Sequence, residues 1–495
     1  MEKKKEVPRI LVCGTGVAGS AFAAILARRL GGNVALTVTE RAERVRDQGY
    51  GLDLDVYGQL AMARAGLYDH YWSISKNRSD SMAMYPMKGP EAQFVYFRPN
   101  LLRKWLPSVF GAQPESNRGE LRALFLRELE TTYAATTKVA YEQGAFELKK
   151  AGNGVEAFEK GGKSLGIFDL VVDASGVHSP LRGYRVDDPE GKHLDFYMMI
   201  HGVVSNPEAT VDPEFVRRLG THGTLFVFGR GYFFFTQRFG PGDDDKRMAL
   251  LYYVPTDSET KLFDDIGIDP TSSRRDGIMT DHRLEKVKEW IVKDMGDHFD
   301  PCYRDFVKHL DRVTIRPNVT HGLQTTFKKE CDIPVVCIGD ALLGCGIGGG
   351  GNLALKDAVE LAELLEDPSA FEKTTGGGLV ANLPHLRKKE AEWLKLKMDW
   401  LYAKETDLGP AVFTREPGVV ELEWSHMWPN SPIKRFILST IFKWFAALTC
   451  WWFKLDLKHG VANSHPASPH FPQVLKAARE AKNRTPPNVV LKKTN

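Results

Sequence analysis

The feature that most constrains the fold is a glycine motif between a strand and a helix. The apolar run Arg9–Cys13 predicts a buried strand, the alanine-rich run Val17–Leu30 predicts a helix, and residues 33–40 predict a second strand. The motif GTGVAG (14–19) spans the turn after the first strand and the first residues of the helix. A strand, a helix and a second strand in this order form a βαβ unit. The chain is therefore predicted to open with an α/β domain built on a parallel sheet.

The glycine spacing and the acid that ends the second strand together predict a dinucleotide site. Gly14 allows a tight turn, Gly16 lets the backbone approach a pyrophosphate, and Gly19 lets the helix pack against the strand. The phosphates then meet free N–H groups at the helix N-terminus. Glu40 lies about 20 residues further on, where a carboxylate accepts hydrogen bonds from an adenosine ribose and disfavours a 2′-phosphate. FAD or NAD is therefore predicted rather than NADP, and a glycine-rich turn without a ligand is the structural alternative.

A second G-x-G-x-x-G spelling begins at Gly344, but its context differs. Five residues, GDALL, separate it from the predicted strand 334–338, and the helix predicted over 352–365 runs into EDPSAFEKTTGGG without a second strand. The stretch does not predict a second dinucleotide domain. Asp340 at the strand end would instead accept hydrogen bonds from the ribityl hydroxyls of a flavin, and the helix start at 348–351 would favour the anion of the reduced ring. A mobile surface loop is the alternative.

The composition excludes several classes of function. The 495 residues include 66 Lys and Arg and 63 Asp and Glu, a net charge of +3, so no broad positive surface for nucleic acid is expected. The six cysteines are scattered, without a C-x-x-C pair or a spacing suited to zinc. They predict reduced thiols in the cytoplasm and no metal. The opening MEKKKEVP is followed at once by the first strand and its glycines, too short an apolar run for a secretory signal.

Residues 194–254 differ in texture from the first domain. Alternating or aromatic runs, LDFYMMIHGVV, TLFVFG, YFFFTQRF and RMALLYYV, are separated by Gly, Asp and Pro turns. They predict an antiparallel sheet inserted between two parts of the α/β domain, because the strand 334–338 returns to that domain. Helices are predicted around 118–130 and, after the aromatic runs, over 282–295, and a weak hairpin is predicted over 139–168.

Several spaced motifs between residues 9 and 365 resemble the flavin monooxygenases of the para-hydroxybenzoate hydroxylase fold, most closely the tetracycline-inactivating branch. GTGVAG with Glu40 and Arg41 resembles the ADP-binding opening of that family. RDQGYGLDL (46–54) is similar to the segment that lies along the flavin. NRGELRALF (117–125) resembles the helix that carries an FAD-contacting arginine, which would be Arg118 here.

Two further motifs match with departures. DASGVHSPLR (173–182) resembles the D-G motif of the family, but Ser175 stands where an aspartate usually precedes the glycine. IGDALLGCGIGGGGN (338–352) resembles the G-D motif, but LLGCGIG replaces the usual turn with His and Pro and is about two residues shorter. In the family that turn lies against the active face of the flavin, so the departure bears on the substrate and the reaction more than on FAD binding.

The resemblance implies a set of site residues. Arg46 is the one catalytic candidate and would face the flavin ring or the incoming nicotinamide. Asp53 would lie near the flavin, and Asp340 at its ribityl chain. Without the resemblance, Arg46 would be a solvated residue in a charged run, Asp53 a strand end and Arg118 a surface ion-pair partner. The predicted FAD-binding residues are Gly14, Gly16, Gly19, Glu40, Arg41, Arg46, Asp53, Arg118, Gly176, Asp340, Gly350, Gly351 and Asn352.

The resemblance also implies the reaction and the architecture. NADPH or NADH would reduce FAD, and one oxygen atom of O2 would pass through a flavin C4a-hydroperoxide to a bulky, aromatic or polycyclic small molecule. Two alternatives stay open: an FAD-dependent reductase or dehydrogenase on the same fold, and a flavin-binding protein that has lost catalysis. The predicted α/β architecture has a Rossmann-like FAD-binding domain over 1–182 and 318–366, an inserted antiparallel β-sheet domain for the substrate over 183–317, and a helical C-terminal region over 367–495.

A tryptophan-rich apolar segment marks the C-terminal region. Residues 436–454, FILSTIFKWFAALTCWWFK, approach the ~20 residues of a membrane span but contain Ser, Thr and Lys. A helix over 434–455 is therefore predicted either to lie in a membrane interface or to pack on the domains. In the first case the cytoplasmic protein would contact the cytosolic face of a membrane. A polar, proline-containing tail follows.

Overall fold

The computed structural model contains a five-stranded parallel sheet, a seven-stranded mixed sheet, a three-stranded antiparallel sheet and a two-stranded antiparallel sheet, together with packed helices. It describes residues 7–44, 51–54, 56–75, 82–89, 94–96, 115–185, 192–219, 223–229, 232–238, 246–255, 259–269, 278–320, 332–342, 344, 350–367 and 471–483. The strands are β1 (Arg9–Cys13), β2 (Ala35–Glu40), β3 (Gly51–Asp53), β4 (Met82–Pro86), β5 (Phe94–Tyr96), β6 (Glu115–Asn117), β7 (Thr137–Tyr141), β8 (Ala145–Ala151), β9 (Gly154–Glu159), β10 (Ser164–Phe168), β11 (Leu170–Asp173), β12 (Lys192–Val204), β13 (Thr224–Gly229), β14 (Tyr232–Arg238), β15 (Met248–Pro255), β16 (Arg312–Thr320) and β17 (Val335–Cys337).

The helices confirm the predicted positions around the glycine motif and after the aromatic strands. The α-helices are α1 (Val17–Leu30), α2 (Val56–Arg64), α3 (Tyr68–Ser75), α4 (Arg118–Thr131), α5 (Pro207–Thr210), α6 (Pro213–Leu219), α7 (Glu259–Ile266), α8 (His282–Met295), α9 (Pro301–Lys308), α10 (Gly350–Leu364) and α11 (Phe471–Asn483). Short 3-10 helices cover Gly31–Asn33, Arg182–Tyr184, Gly296–His298 and Gly339–Ala341.

The parallel sheet brings three of the predicted motifs to one edge. Its strand order is β17-β11-β1-β2-β7, and all neighbouring strands are parallel. Cys13 pairs with Asp173, and Asp173 pairs with Cys337, so β1, β11 and β17 end in one row. The glycine turn, the D-G motif and the G-D motif follow these three ends. They therefore leave the sheet side by side, at the edge where open α/β sheets bind ligands.

Both faces of the parallel sheet are covered, which explains the continuous apolar run in β1. Alternate residues of β1 pack against α1, α2, α4 and α10 on one face and against β8, β9 and β10 on the other. The predicted weak hairpin over 139–168 was wrong in its extent. β7 joins the parallel sheet beside β2, and β8, β9 and β10 form a three-stranded antiparallel meander. Gly152 (φ 62°) and Gly161 (φ 106°) supply the left-handed backbone that closes its two turns.

The predicted antiparallel sheet is present and is larger than the sequence indicated. The order of its seven strands is β16-β12-β15-β14-β13-β4-β5, with β4 parallel to β13 and the other neighbours antiparallel. The four aromatic runs form β12 to β15, as predicted. β4 and β5 come from the range predicted for the FAD-binding domain, and β16 crosses the predicted boundary at 317. These three strands belong to the seven-stranded sheet because they pair with other strands of the fold. A local sequence pattern does not predict which strands pair. The division into domains stays a prediction.

The seven-stranded sheet has two different faces. One face packs under helices α6 to α9 and carries Leu225, Phe234 and Tyr252 into a closed core. The other face lies toward β3, because a methyl group on Gly51 would come within 2.9 Å of the Gln237 side chain in β14. This second face is therefore next to the segment that the resemblance aligns along the flavin.

The end of the chain returns to the first domain. Helix α11 packs on α2, with Val474 and Ala477 buried against Ala63. Arg28 of α1 donates to the Ala481 carbonyl, and Arg64 of α2 pairs with a carboxylate of α11. The predicted tail thus contains an amphipathic helix. The segment 434–455 lies outside the described residues.

Among the helices that the structure describes, none combines the length and the apolar character that crossing a membrane requires.

Candidate cofactor site

The three glycines of the first motif meet three different physical demands. Gly14 has φ 102°, and its N–H donates to the Thr39 carbonyl over 2.7 Å, which joins the start of the turn to β2. A methyl group on Gly19 would lie 2.0 Å from the Gly14 carbonyl oxygen, so only glycine allows this helix to approach the turn. A methyl group on Gly16 would meet nothing within 4 Å. The backbone conformation at Gly14 and the close contact at Gly19 therefore require glycine in the fold itself. Gly16 instead leaves space for a ligand at the N-terminus of α1.

Glu40 lies beside this turn and is already hydrogen-bonded to it. The N–H and hydroxyl of Thr15 donate to Glu40 Oε2 over 3.0 and 2.9 Å, and the Ala42 N–H donates to Oε1 over 3.0 Å. Burial alone would raise the pKa of Glu40, but these hydrogen bonds and the charge of Arg122 lower it below its usual range. The carboxylate stays ionised and keeps one of its roughly four acceptor positions for a ribose hydroxyl.

Arg122 belongs to the same site but was not predicted. Its side chain is 5% exposed and donates to the Thr15 carbonyl and hydroxyl, each over 2.7 Å, and to the Arg44 carbonyl over 2.9 Å. Arg122 thereby stabilises the backbone of the glycine turn between β1 and α1. The available signal was its place one turn after Arg118, among the apolar residues of the run LRALF in α4, four of whose five residues are buried.

The rim of the site holds Arg41 and Gly176. Arg41 is exposed, lies 5.8 Å from the Phe146 ring and donates to the Ser175 carbonyl over 3.5 Å. Gly176 has φ 89°, and a methyl group on it would meet nothing within 4 Å. The structure thus brings the predicted residues of the second strand and of the D-G motif together beside the open side of Gly16.

Two buried residues connect the D-G motif to the G-D motif. Asp173 accepts hydrogen bonds from the N–H of Ser175 over 3.1 Å and from its hydroxyl over 2.5 Å, and also from the Ser179 hydroxyl. Arg182 donates to the Ala341 carbonyl over 2.8 Å and to the Asp340 carbonyl over 2.6 Å. Asp173 was not among the predicted site residues, because its role depends on hydrogen bonds to groups that folding brings next to it.

Asp340 interacts with two arginine side chains. The side chain is half-buried. Burial raises its pKa above the usual range, and the charges of Arg118 and Arg182 oppose that shift. The amide N–H of Gly339 donates to Asp357, a 2% exposed residue of α10, over 2.8 Å. The predicted ribityl-binding carboxylate and the predicted FAD-contacting arginine are therefore close enough to interact. Asp357 is a third residue that sequence reasoning missed, after the two described above.

The start of α10 packs on β3. Asn352 donates through Nδ2 to the Asp53 carbonyl over 2.8 Å, and a methyl group on Gly351 would lie 2.7 Å from a methyl carbon of Leu52. Strand β3 in turn pairs with β6, which leads directly into Arg118. Gly350 is the first residue of the helix. Predicted residues from four segments thus converge at this end of the site.

Arg46, the one predicted catalytic residue, lies outside the described residues, as do positions 345–349 of the second glycine motif. Within the described ranges, no group of His, Cys, Asp or Glu side chains is arranged to hold a metal ion.

The described residues fit an extended dinucleotide with a flavin at one end. Open space at Gly16 and Gly176 and the ionised Glu40 suit a pyrophosphate and a ribose. Asp340, Asn352 and the start of α10 suit a polyhydroxyl chain and a polar ring edge. The site can bind and orient such a group between the parallel sheet and the second face of the seven-stranded sheet.

Comparison with known proteins identifies the fold. No family model matches the chain, and no curated protein sequence matches it. The structure resembles Klebsiella pneumoniae HpxO complexed with FAD and uric acid, with a TM-score of 0.60 and 16% identity over 89% of this chain and 97% of that chain. It resembles 2,6-dihydroxypyridine-3-hydroxylase from Arthrobacter nicotinovorans, with a TM-score of 0.61 and 16% identity over 80% and 93% of the two chains.

Tetracycline destructase Tet(55) also matches, with a TM-score of 0.56 and 15% identity over 85% of this chain and 97% of that chain. At these identities the likeness shows the fold. The chain has the para-hydroxybenzoate hydroxylase fold of FAD-dependent monooxygenases, and the predicted fold class is confirmed.

Proposed function

We propose that the protein is an FAD-dependent monooxygenase that uses NADPH or NADH and transfers one oxygen atom of O2 to a bulky, aromatic or polycyclic small molecule. The observation that carries this proposal is the convergence at one edge of the parallel sheet. Three motif-bearing strand ends meet there, and the cluster of β3, Asp340 and α10 continues from them. The fold likeness to FAD-dependent hydroxylases supports it.

An aromatic surface supports the substrate class. On the second face of the seven-stranded sheet, the rings of Phe226 and Phe235 lie 4.7 Å apart between centroids, and those of Phe233 and Tyr253 lie 5.4 Å apart. Phe226 and Phe235 are only half-buried. A planar ring bound between this surface and a flavin would stack on aromatic side chains. HpxO complexed with FAD and uric acid shows a protein of this fold binding a small planar ring compound.

FAD, when bound, would supply the electron transfer and the activation of oxygen. The residues of this chain bind and orient it. Glu40 and the turn at Gly16 hold the adenosine and pyrophosphate, Asp340 accepts hydrogen bonds from the ribityl hydroxyls, and Arg118 adds positive charge beside that carboxylate. Arg46 is proposed to face the flavin ring or the nicotinamide. The half-buried phenylalanines keep water from the reacting face.

The decisive experiment combines a spectrum with isotope labelling. Purified protein should show a flavin band that bleaches on anaerobic addition of NADPH or NADH. With ¹⁸O₂ and an active aromatic compound, the product should gain one labelled oxygen atom. Reduction or desaturation of the compound without label would establish the reductase or dehydrogenase alternative. A protein that holds flavin but never oxidises NADPH or NADH with any compound would be the catalytically inactive alternative.

We further propose a cytoplasmic protein whose segment 434–455 contacts a membrane surface, on the basis of its apolar, tryptophan-rich sequence. Fractionation of cells that make the full chain should place part of the protein with membranes. Replacing Trp444, Trp451 and Trp452 with alanine should move that part to the supernatant. If the wild-type protein and the triple alanine variant were divided equally between membranes and supernatant, the proposal would be wrong.

A further inference from the structure

Asp173 is a fully buried carboxylate whose hydrogen bonds are directed at one loop. Its exposed fraction is 0%. Oδ1 accepts from the N–H and the hydroxyl of Ser175, and Oδ2 accepts from the hydroxyl of Ser179. The Cys337 thiol of β17, a residue outside the loop, approaches Oδ2 at 3.7 Å. The three loop groups just named, from Ser175 and Ser179, therefore all donate hydrogen bonds to the Asp173 carboxylate.

Ser179 connects the Asp173 carboxylate to the backbone of Arg182 by hydrogen bonds. Its Oγ accepts the backbone N–H groups of Leu181 and Arg182 over 3.0 and 3.1 Å. A hydroxyl oxygen has two acceptor positions, and both are taken by these groups, so its hydrogen is directed at Asp173. The three residues together fix the short turn from which the Arg182 side chain starts.

Arg182 then spans the gap to the G-D motif. Its side chain is 1% exposed, and its Nε and Nη2 donate to the carbonyls of Ala341 and Asp340. A planar guanidinium that meets two successive carbonyls fixes their orientation as well as their distance. The backbone of Asp340 is thereby tied to the D-G motif on the neighbouring strand.

We propose that Asp173 is a positioning residue for the flavin: acting through Ser179 and Arg182, it sets the place of the Asp340 carboxylate. This inference rests on the proposed function, because it assigns Asp340 to the flavin. It also accounts for Ser175. The carboxylate that usually stands at that position is absent, and a carboxylate two residues earlier binds the Ser175 N–H and hydroxyl instead.

The substitution Asp173→Asn tests the charge and the acceptor pattern with little change in size. One carboxylate oxygen becomes an NH₂ group, which donates only. If that group faces Ser179, the serine hydroxyl loses its acceptor. If the side chain turns over, the NH₂ group faces the N–H of Ser175. Either orientation places donor against donor inside the protein, so the turn is expected to shift.

The experiment measures the dissociation constant for FAD by fluorescence quenching in the full-length protein after removal of bound flavin. Asp173→Asn is expected to weaken FAD binding about tenfold. Cys337→Ala is the matched control, since it removes the other contact to Oδ2 and none to the loop. Its dissociation constant should stay within twofold of wild type.

A double-mutant cycle with Asp340→Ala separates positioning from general damage. Arg182 binds backbone carbonyls, which Asp340→Ala retains. If Asp173 acts through the Asp340 carboxylate, Asp173→Asn should weaken FAD binding less than twofold in the Asp340→Ala background. The same cycle with Ser179→Ala serves if Asp173→Asn does not fold. Equal effects in both backgrounds, or unchanged binding by both variants, would overturn the inference. A wild-type protein that binds no FAD would instead refute the proposed function.

Discussion

Gly16 and Gly19 lie less than one helical turn apart, and their surroundings demand glycine for opposite reasons. Gly16 is required only when a ligand approaches, whereas Gly19 is required by the fold itself. We expect Gly16→Ala to keep the free energy of unfolding of the apoprotein within about 0.5 kcal/mol of wild type. Gly19→Ala should lower the free energy of unfolding by at least about 1–3 kcal/mol, because the added methyl group would overlap the Gly14 carbonyl.

Urea unfolding and FAD titration distinguish the two effects. Gly16→Ala should raise the dissociation constant for FAD at least about tenfold, because its methyl group would occupy the space at the N-terminus of α1. If Gly16→Ala binds FAD as wild type does, the open space at this turn is not the phosphate site.

Glu40 gives a pH-dependent prediction. Its pKa in the folded protein lies below the usual 4.5, so its ionised form contributes stability above that pH. The contribution is lost as the pH falls through the folded-state pKa. Glu40→Gln is therefore expected to cost about 1 kcal/mol of unfolding free energy at pH 7, and the difference should shrink below about pH 4. Glu43→Gln, at an exposed neighbouring position, is the control for urea unfolding at both pH values.

The sequence predicted those residues of the candidate site whose positions are constrained by their immediate neighbours in the chain. Gly14, Gly16, Gly19 and Glu40 follow from spacing alone, since a strand, a tight turn and a helix constrain them locally. Arg122 and Asp173 were missed because a buried charge has no local signature. Its role is set by the groups that surround it after folding.

At the scale of single elements, two neighbouring residues of β14 are expected to have different roles. Phe234 should contribute to stability, and Phe235 should contribute to substrate binding. Phe234 is fully buried under helices α6 to α9, whereas Phe235 is half-buried on the second face of the sheet. Phe234→Ala should lower the free energy of unfolding by about 3–5 kcal/mol. Phe235→Ala should lose less than half as much and should raise the KM for the aromatic substrate severalfold.

Steady-state kinetics of the two variants, measured beside their urea unfolding, check this assignment. A KM that changes in Phe234→Ala but not in Phe235→Ala would mean that the substrate does not meet the second face of the sheet.

Helix α11 is predicted to stabilise the FAD-binding side of the molecule. Val474 is 0% exposed at its contact with α2. Val474→Asp would bury a carboxylate in an apolar contact, so α11 should detach and the midpoint of thermal unfolding should fall by several degrees. Lys476→Ala, on the exposed side of the same helix, should leave the midpoint within about one degree. Proteolysis at the C-terminus of the two variants gives an independent reading of detachment.

At the scale of the whole molecule, FAD is expected to join two regions that are distant in sequence. In the proposed binding mode the adenosine end would meet the turn after β1, and the flavin end would meet β3, which lies against β14. Hydrogen exchange should therefore slow on FAD binding in Gly51–Asp53 and Tyr232–Arg238 as well as in the glycine turn. ADP-ribose, which lacks the flavin, should protect the turn alone. Strands β8 and β9, on the far face of the parallel sheet, supply the control peptides. Protection by FAD confined to the glycine turn would contradict this arrangement.

The amino-acid sequence by itself determined the βαβ opening, the glycine turn with its acid, the aromatic strands β12 to β15 and helices such as α1 and α8. These features follow from hydrophobic periodicity and from backbone conformations that only glycine adopts, which are properties of neighbouring residues. Tertiary structure alone decided the membership of β4 and β5 in the large sheet, the row in which β1, β11 and β17 end, and the connection from Asp173 through Arg182 to Asp340. Each of these depends on strands and side chains far apart in the chain, whose pairing becomes favourable only when the whole core is buried.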